Sequence, residues 1–314
     1  MNKDSKIFIA GHNGLVGSAI HRQLVQKKYA NLIVKSKQEL DLTNQDQVNR
    51  FFEKEQIEFV FMAAARVGGI LANQTYPADF GYINGIIELN VFNASMINGV
   101  KKLLFLGSNC IYPKYCSQPI SEDLLMSGSL EETNEMYALA KILGVKLCEA
   151  YNQQYKTNFI SAMPCNLYGE FDNFHPINSH LIPALIRKIH EAKTENKDHI
   201  TIWGTGLARR EILYSEDVAC ACEFLMHNYV HNSPINIGYG VDFSIIELFN
   251  IIKEIVGFKG SYVLDESKPD GTMKKLLDVT KIGNLGWKPK YNIEQGIEKT
   301  YKWFLVNQNK IRAT

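Results

Sequence analysis

The 314 residues carry 34 basic and 33 acidic side chains, a formal charge of +1, with 46% of the chain hydrophobic and 21% charged. This is the composition of a soluble globular protein with ample core material for one large domain or two, and it excludes an overall electrostatic footprint for nucleic acid or an anionic membrane. The apolar run after Lys6 is far too short for a signal segment and no later run approaches membrane-spanning length, so a cytoplasmic protein with no membrane partner is expected.

Residues 6–10 are mostly apolar, as a parallel strand buried on both faces should be. Gly11-His12-Asn13-Gly14-Leu15-Val16-Gly17 follows. Its glycines permit a tight turn, close backbone approach to a pyrophosphate, and close packing of the next helix on the sheet. A helix starting near Leu15 would present free N–H groups and a positive dipole end to phosphate. A glycine trio alone could be a plain turn, but strand before and helix after make it a dinucleotide-binding signal.

Residues 31–35 read as a second strand with a ribose-side position at its end, where Lys35 and Lys37 stand. An acidic residue there would accept from the ribose 2′-hydroxyl of NAD, whereas paired cations suit a 2′-phosphate, so NADP(H) is the expected cofactor. The competing reading leaves both lysines merely solvated. Residues 58–64 and 102–107 continue the strand–helix rhythm, and Ala63-Ala64-Ala65 leaves room for a flat cofactor near the backbone. Ligands of open parallel sheets sit beyond the carboxyl ends of the strands, so Gly11, Ala63 and Ser108 should face one crevice.

The fourth strand runs into Gly107-Ser108-Asn109-Cys110-Ile111-Tyr112-Pro113, and Tyr137 and Lys141 follow on a helix. Residues four apart share a helix face, so the pair can reach one site, and the nearby cation should lower the tyrosine pKa. Such a pair also occurs by chance on any wet helix face. Strand five spans 158–163 and ends at Pro164-Cys165-Asn166-Leu167-Tyr168-Gly169. Then a polar loop leads to an amphipathic helix carrying Leu181, Ile182, Leu185 and Ile189, with Asn178 or Ser179 as its expected cap. Shorter elements follow. The expected fold is α/β: a doubly wound parallel sheet of Rossmann type over 1–169, with some return of later segments, and a smaller α/β substrate-binding domain over 170–314.

Cysteines 110, 116, 148, 165, 220 and 222 show neither Cys-x-x-Cys nor paired Cys/His spacing, so no metal site is expected. A disulfide framework is not expected either. Cys148, Cys220 and Cys222 should pack on helices.

The glycine turn, Ser108, and the Tyr137/Lys141 pair resemble the extended short-chain dehydrogenase/reductase family. Longer strings are similar to its GDP-L-fucose synthase branch, the GDP-4-keto-6-deoxy-D-mannose 3,5-epimerase/4-reductases. These are 63–70, 107–113, 166–169, Asp172-Asn173-Phe174-His175-Pro176, Asn178-Ser179-His180, and Lys268-Pro269-Asp270-Gly271-Thr272. The resemblance spans almost the whole chain.

It implies that Cys110 and His180 form the acid/base pair acting at C3 and C5, whose hydrogens the C4 ketone acidifies. Ser108 and Tyr137 would hydrogen-bond the C4 oxygen. Tyr137 would donate a proton as nicotinamide hydride reduces C4, with Lys141 holding the ribose. On the cofactor side the resemblance further implies Asn13, Leu15, Val16, Asp41, Leu42, Pro164, Asn166, Leu167 and His180. For the GDP sugar it implies Asn109, Asn166, Lys188, Trp203, Arg210, Lys268 and Asp270, with Arg210 and Lys188 suited to the diphosphate and Trp203 to the guanosine. Homodimers are the rule in that branch.

The chain departs from the branch in three places. Asn13 stands where relatives often carry arginine, lysines replace arginines at 35 and 37, and Asn109 replaces a common serine. Lysine lacks the bidentate fork, which weakens the expected NADP preference. A C4-reductase of a related GDP-4-keto-heptose, with or without epimerisation, is the nearest rival. A dehydratase would carry an acidic pair at Asn109 and Cys110, and a non-catalytic dinucleotide sensor would not need the intact set of side chains.

Overall fold

The computed structural model describes residues 1–176, 179–268 and 270–308. Asn178, one of the two expected helix caps, and Pro269 of the Lys268 string lie outside the described residues. The first half alternates strand and helix: β1 (Ile7–Ala10), α1 (Leu15–Gln26), β2 (Leu32–Ile33), α2 (Gln45–Glu55), β3 (Phe59–Met62), α3 (Ile70–Thr75), α4 (Pro77–Ile97), β4 (Lys102–Leu106), α5 (Glu135–Tyr155) and β5 (Phe159–Pro164). After β6 (Asn166–Tyr168), α6 (Leu181–Thr194), β7 (His199–Trp203), β8 (Arg209–Tyr214) and α7 (Ser215–Asn228), the chain returns as β9 (Ile235–Ile237). It ends with β10 (Asp242–Ser244), α8 (Ile245–Val256), β11 (Ser261–Asp265), β12 (Lys274–Lys275), α9 (Thr280–Asn284) and α10 (Ile293–Asn307).

The main sheet has order β2-β1-β3-β4-β5-β9, every pairing parallel. The order reverses between β1 and β3, which opens a crevice beyond the carboxyl ends of those strands. β1, β3, β4 and β5 are buried along their whole length, as the near-continuous apolar runs require in a sheet covered on both faces. β1, β3 and β4 are shorter than the apolar runs suggest. Ala63 still donates its N–H to Ala10 O at 3.0 Å, but Ala64 and Ala65 have left β3 for the crevice loop. Similarly, β2 keeps only Leu32 and Ile33, a half-buried edge strand.

Two cores result. The larger packs both faces of the main sheet, with Phe92 of α4 meeting Phe105 and Phe159 at ring-centroid distances of 5.6 and 5.7 Å. Burying each such ring stabilises the fold by roughly 1.5–3 kcal/mol. Cys148, Cys220 and Cys222 do lie on α5 and α7. The smaller core joins Ile182, Leu185, Ile186 and Ile189 of α6 to Leu248, Phe249 and Ile252 of α8 and Ile297 and Phe304 of α10. Its strands form β10-β8-β12 with β6 on β8, and a separate β11-β7 pair. Leu213 of β8, α7, β9 and Leu277 belong to the larger core, so the chain crosses back after residue 169. The N-cap of α6 is His180, without a side-chain capping bond, rather than Asn178 or Ser179.

Candidate active site

The glycine turn closes with Gly14 N–H donating to Gly11 O at 2.9 Å, and the helix ladder of α1 begins at Ser18 N–H to Gly14 O, also 2.9 Å. The N–H groups of Leu15, Val16 and Gly17 therefore precede the first intrahelical bond, and no acidic side chain stands in that first turn. A Cβ on Gly17 would lie 2.1 Å from Gly11 O, and one on Gly11 would lie 2.8 Å from Ala63 O and Ala64 Cα. Only glycine allows this approach of α1 to the sheet and of β1 to the β3 loop. A bare, anion-seeking helix terminus beside the small residues Ala63, Ala64 and Ala65 fits a dinucleotide diphosphate.

Beyond β2, Lys35 lies 4.0 Å from Glu39 Oε1, and Lys37 is exposed. Asp41 accepts from the Thr43 N–H at 3.0 Å and its hydroxyl at 2.8 Å, and these bonds hold its carboxyl below the usual range. Leu42 O accepts from Asn90 of α4 at 3.0 Å. Asn13 is exposed within the glycine turn. On the other side of the crevice, Leu15 Cδ1 approaches Gly169, so the loop after β6 closes over α1.

Ser108 follows β4 in extended backbone and caps a short turn, Asn109–Ile111, by accepting from Cys110 N–H at 3.2 Å. Its hydroxyl lies close enough to Tyr137 of α5 to act on the phenol. Cys110 Sγ accepts from Asn134 Nδ2 at 3.3 Å and lies 3.8 Å from Asn109 Oδ1. Asn109 in turn donates to Asn166 Oδ1 at 3.4 Å, which ties the β4 turn to the stretch after Pro164 that leads through Leu167. Hydroxyl, thiol and phenol thus meet at one strand end.

Lys141 does not act on Tyr137 as the four-residue spacing suggested. Its ammonium lies 3.3 Å from Glu88 Oε1 of α4, donates to Leu106 O at 3.1 Å, and sits over the Phe105 ring at 4.6 Å. Both charged side chains are nearly fully buried, at 3% and 1% exposure. Burial pushes Glu88 up to about 7 in spite of the lysine beside it. Tyr137 is pushed up, not down, by burial first and then by Cys110 and Glu88, with the Ser108 side chain acting the other way. Burial outweighs the cation because the cation is paired elsewhere.

His180 Nδ1 lies 3.6 Å from Asp172 Oδ1. Burial disfavours the imidazolium, but the hydrogen bond and charge of Asp172 outweigh it, and the net shift is upward. The remaining residues gather on the smaller core. Trp203 at the end of β7 is 60% exposed, with Lys188 of α6 at 5.5 Å and Lys268 at 5.8 Å from its ring. Burial lowers the Lys188 pKa. Asp270 accepts from Thr205 N–H and hydroxyl, both at 2.9 Å. Arg210 donates to Thr272 O at 2.5 Å and Asp270 O at 3.2 Å, so its guanidinium anchors that loop as well as carrying charge toward it.

Three residues of this site went unremarked in the sequence. Glu88 is a lone charge inside the apolar run of α4, a pattern that signals a buried partner. Asp172 was visible only as part of a longer string. Asn134 gave no signal, because asparagine ahead of a helix reads as an ordinary cap.

The profile of the NAD dependent epimerase/dehydratase family matches residues 7–238. The GDP-L-fucose synthase of Escherichia coli strain K12 is 51% identical, over 98% of this chain and 99% of its own. The structure of a GDP-6-OMe-4-keto-L-xylo-heptose reductase from Campylobacter jejuni superposes with a TM-score of 0.93 at 39% identity, covering 98% of this chain and 99% of that one. A GDP-L-fucose synthetase from Naegleria fowleri bound to NADP gives 0.92 at 29% identity, covering 99% and 97%. With a glycine turn built for a diphosphate and a Ser–Tyr pair at the end of β4, the chain belongs to the NAD dependent epimerase/dehydratase family.

Proposed function

We propose that this protein converts GDP-4-keto-6-deoxy-D-mannose to GDP-L-fucose by epimerisation at C3 and C5 and reduction at C4, with NADP(H) as cofactor. The observation that carries the reading is the convergence of Ser108, Cys110 and Tyr137 beyond β4. Ser108 and Tyr137 donate hydrogen bonds to the C4 oxygen, which stabilises the enolate formed when a proton leaves C3 or C5. The proton donor is assigned to His180, whose pKa Asp172 raises above the ordinary imidazole value against the opposing effect of burial. That leaves Cys110 to remove the proton on the opposite face. The C–H bond breaks, an S–H bond forms, and the electron pair enters the enolate.

NADPH, when bound, supplies the hydride for C4. The α1 terminus and the Ala63 loop would hold the diphosphate side, Lys35 and Lys37 the 2′-phosphate, and Pro164, Asn166 and Leu167 the nicotinamide end. Tyr137 delivers its phenolic proton to the C4 oxygen, and its high pKa keeps that proton in place beforehand. Lys141 would hold the nicotinamide ribose. The part built on residues 1–169 holds the cofactor. The part built mainly on 170–314 holds the GDP sugar through Lys188, Trp203, Arg210, Lys268 and Asp270.

The working unit is a homodimer. Tyr82 and Leu89 of α4 and Met136, Leu139 and Leu143 of α5 are exposed on two neighbouring helices, an apolar face that suits a second copy. Leu139→Glu should yield monomers in sedimentation, and an unchanged species would remove this face as the interface. Six free cysteines suit a reducing cytoplasm, and among the described residues no helix is long and apolar enough to cross a membrane.

The test is incubation with GDP-4-keto-6-deoxy-D-mannose and NADPH in heavy water, read by proton NMR. Deuterium at C3 and C5 in an L-configured product is expected. Reduction without exchange would leave a plain C4-reductase and remove the roles given to Cys110 and His180.

A further inference from the structure

Asn134 occupies the N-cap of α5, where asparagine is among the best residues because its side chain can accept from the first helical N–H groups. Here it makes no capping bond. The side chain turns the other way and donates from Nδ2 to Cys110 Sγ at 3.3 Å. Its Oδ1 is buried and without a partner. A residue that gives up the local bond it is best suited to make, and leaves an acceptor unsatisfied, is held for another purpose. Asn134 and Tyr137 both contribute to the lining of a cavity of about 400 Å³.

The sulfur is bracketed by two asparagines. Asn109 Oδ1 at 3.8 Å is an acceptor for a thiol S–H, and Asn134 Nδ2 at 3.3 Å is a donor to a thiolate. A group that must take up a proton and later release it needs a partner for each state. Asn109 is further fixed by its bond to Asn166.

We infer that Asn134 is a positioning residue for Cys110, its amide N–H stabilising the thiolate form and aiming the sulfur at the carbon beside the ketone. This rests on the reading of Cys110 as the proton-removing group. The donor favours the thiolate that must be present before a proton can be taken from carbon, so its loss should slow proton removal more than C4 redox chemistry.

The test compares Asn134→Ser, which can still cap α5 but carries no amide, with Asn134→Ala, Cys110→Ser and the full-length parent. Three quantities are read: deuterium uptake at C3 and C5 of GDP-4-keto-6-deoxy-D-mannose without NADPH, oxidation of GDP-L-fucose with NADP⁺, and alkylation of Cys110 followed by peptide mass spectrometry. In Asn134→Ser, with thermal stability at or above the parent's, exchange should fall roughly tenfold or more relative to oxidation, and Cys110 alkylation roughly fivefold. Asn134→Ala should show the same split should the serine variant fail to fold. Exchange and alkylation within twofold of the parent in Asn134→Ser, with Cys110→Ser inactive in exchange, would overturn the Asn134 role alone. Parental exchange in Cys110→Ser would overturn the proton-removal reading and the Asn134 role with it.

Discussion

Lys141 and Glu88 form a buried ion pair, 3.3 Å from ammonium nitrogen to carboxylate oxygen, joining the helix that carries Tyr137 to the helix before it. Gly144, one turn further along α5, leaves the room: a Cβ there would stand 2.3 Å from the Phe105 ring and 2.9 Å from Glu88 Oε2. The pair places the lysine before any cofactor arrives. Glu88→Gln should therefore lower C4 reduction by about a hundredfold through misplacement of Lys141, with Tyr137 and Ser108 intact.

The same carboxyl makes a prediction about pH. Its folded pKa, pushed up to about 7 from 4.5 by burial, means that the native state binds the proton more tightly than the unfolded state. The contribution to stability is complete below about 4.5 and is lost as pH rises through about 7. Urea unfolding at pH 5 and pH 8 should show Glu88→Gln gaining on the parent toward the higher pH. A pH-independent difference would show that Glu88 titrates in its ordinary range.

Asp172 sets the protonation of His180. In Asp172→Asn the imidazole pKa should fall, and the alkaline limb of the exchange profile should move to lower pH, because the donor loses its proton sooner. Stability follows the same sign. A histidine whose folded pKa is raised stabilises below its unfolded value of 6.5 and loses that contribution as pH rises through the folded value, so the variant should lose more at pH 6 than at pH 8.5. Titration of the His180 ring proton by NMR reads the shift directly, and an unmoved resonance would separate the two residues.

Lys35 and Lys37 are the cations at the end of β2. Replacing both with alanine should raise the KM for NADPH roughly tenfold or more while changing that for NADH little, as loss of a charge-assisted contact to phosphate requires. Equal effects on the two cofactors would assign the phosphate to other groups.

Gly17→Ala puts a methyl group 2.1 Å from Gly11 O. The turn must open, at a cost of about 1–3 kcal/mol, and the free N–H groups of α1 move with it. Thermal unfolding should show the loss, and NADPH titration should show weakened binding. Parental affinity with a parental Tm would mean that the turn relaxes without moving the helix end.

The parallel sheet and its glycine turn were legible along the chain because they depend on local periodicity and turn chemistry. Apolar runs at 6–10 and 102–107 overstated β1 and β4 by one residue and that at 58–64 overstated β3 by three, Ala63 and Ala64 leaving the strand for the crevice loop, whereas β5 has the length of the run at 158–163 shifted by one residue. The return of the chain into the first sheet as β9 was foreseen only in outline, because three residues with no periodicity of their own depend on a pairing partner far away.

Composition, the glycine turn and the four-residue spacing of Tyr137 and Lys141 were determined by the sequence alone, because each rests on neighbours within a few residues. The partner of each ionisable group was decided by the tertiary structure. Glu88 stands 53 residues from Lys141 in the chain, yet it takes the ammonium that spacing alone would have given to Tyr137. Asn134 reaches back 24 residues to Cys110 instead of capping its own helix. Burial and charge act through space over a few ångströms, and only the packed helices α4 and α5 bring those groups within that range.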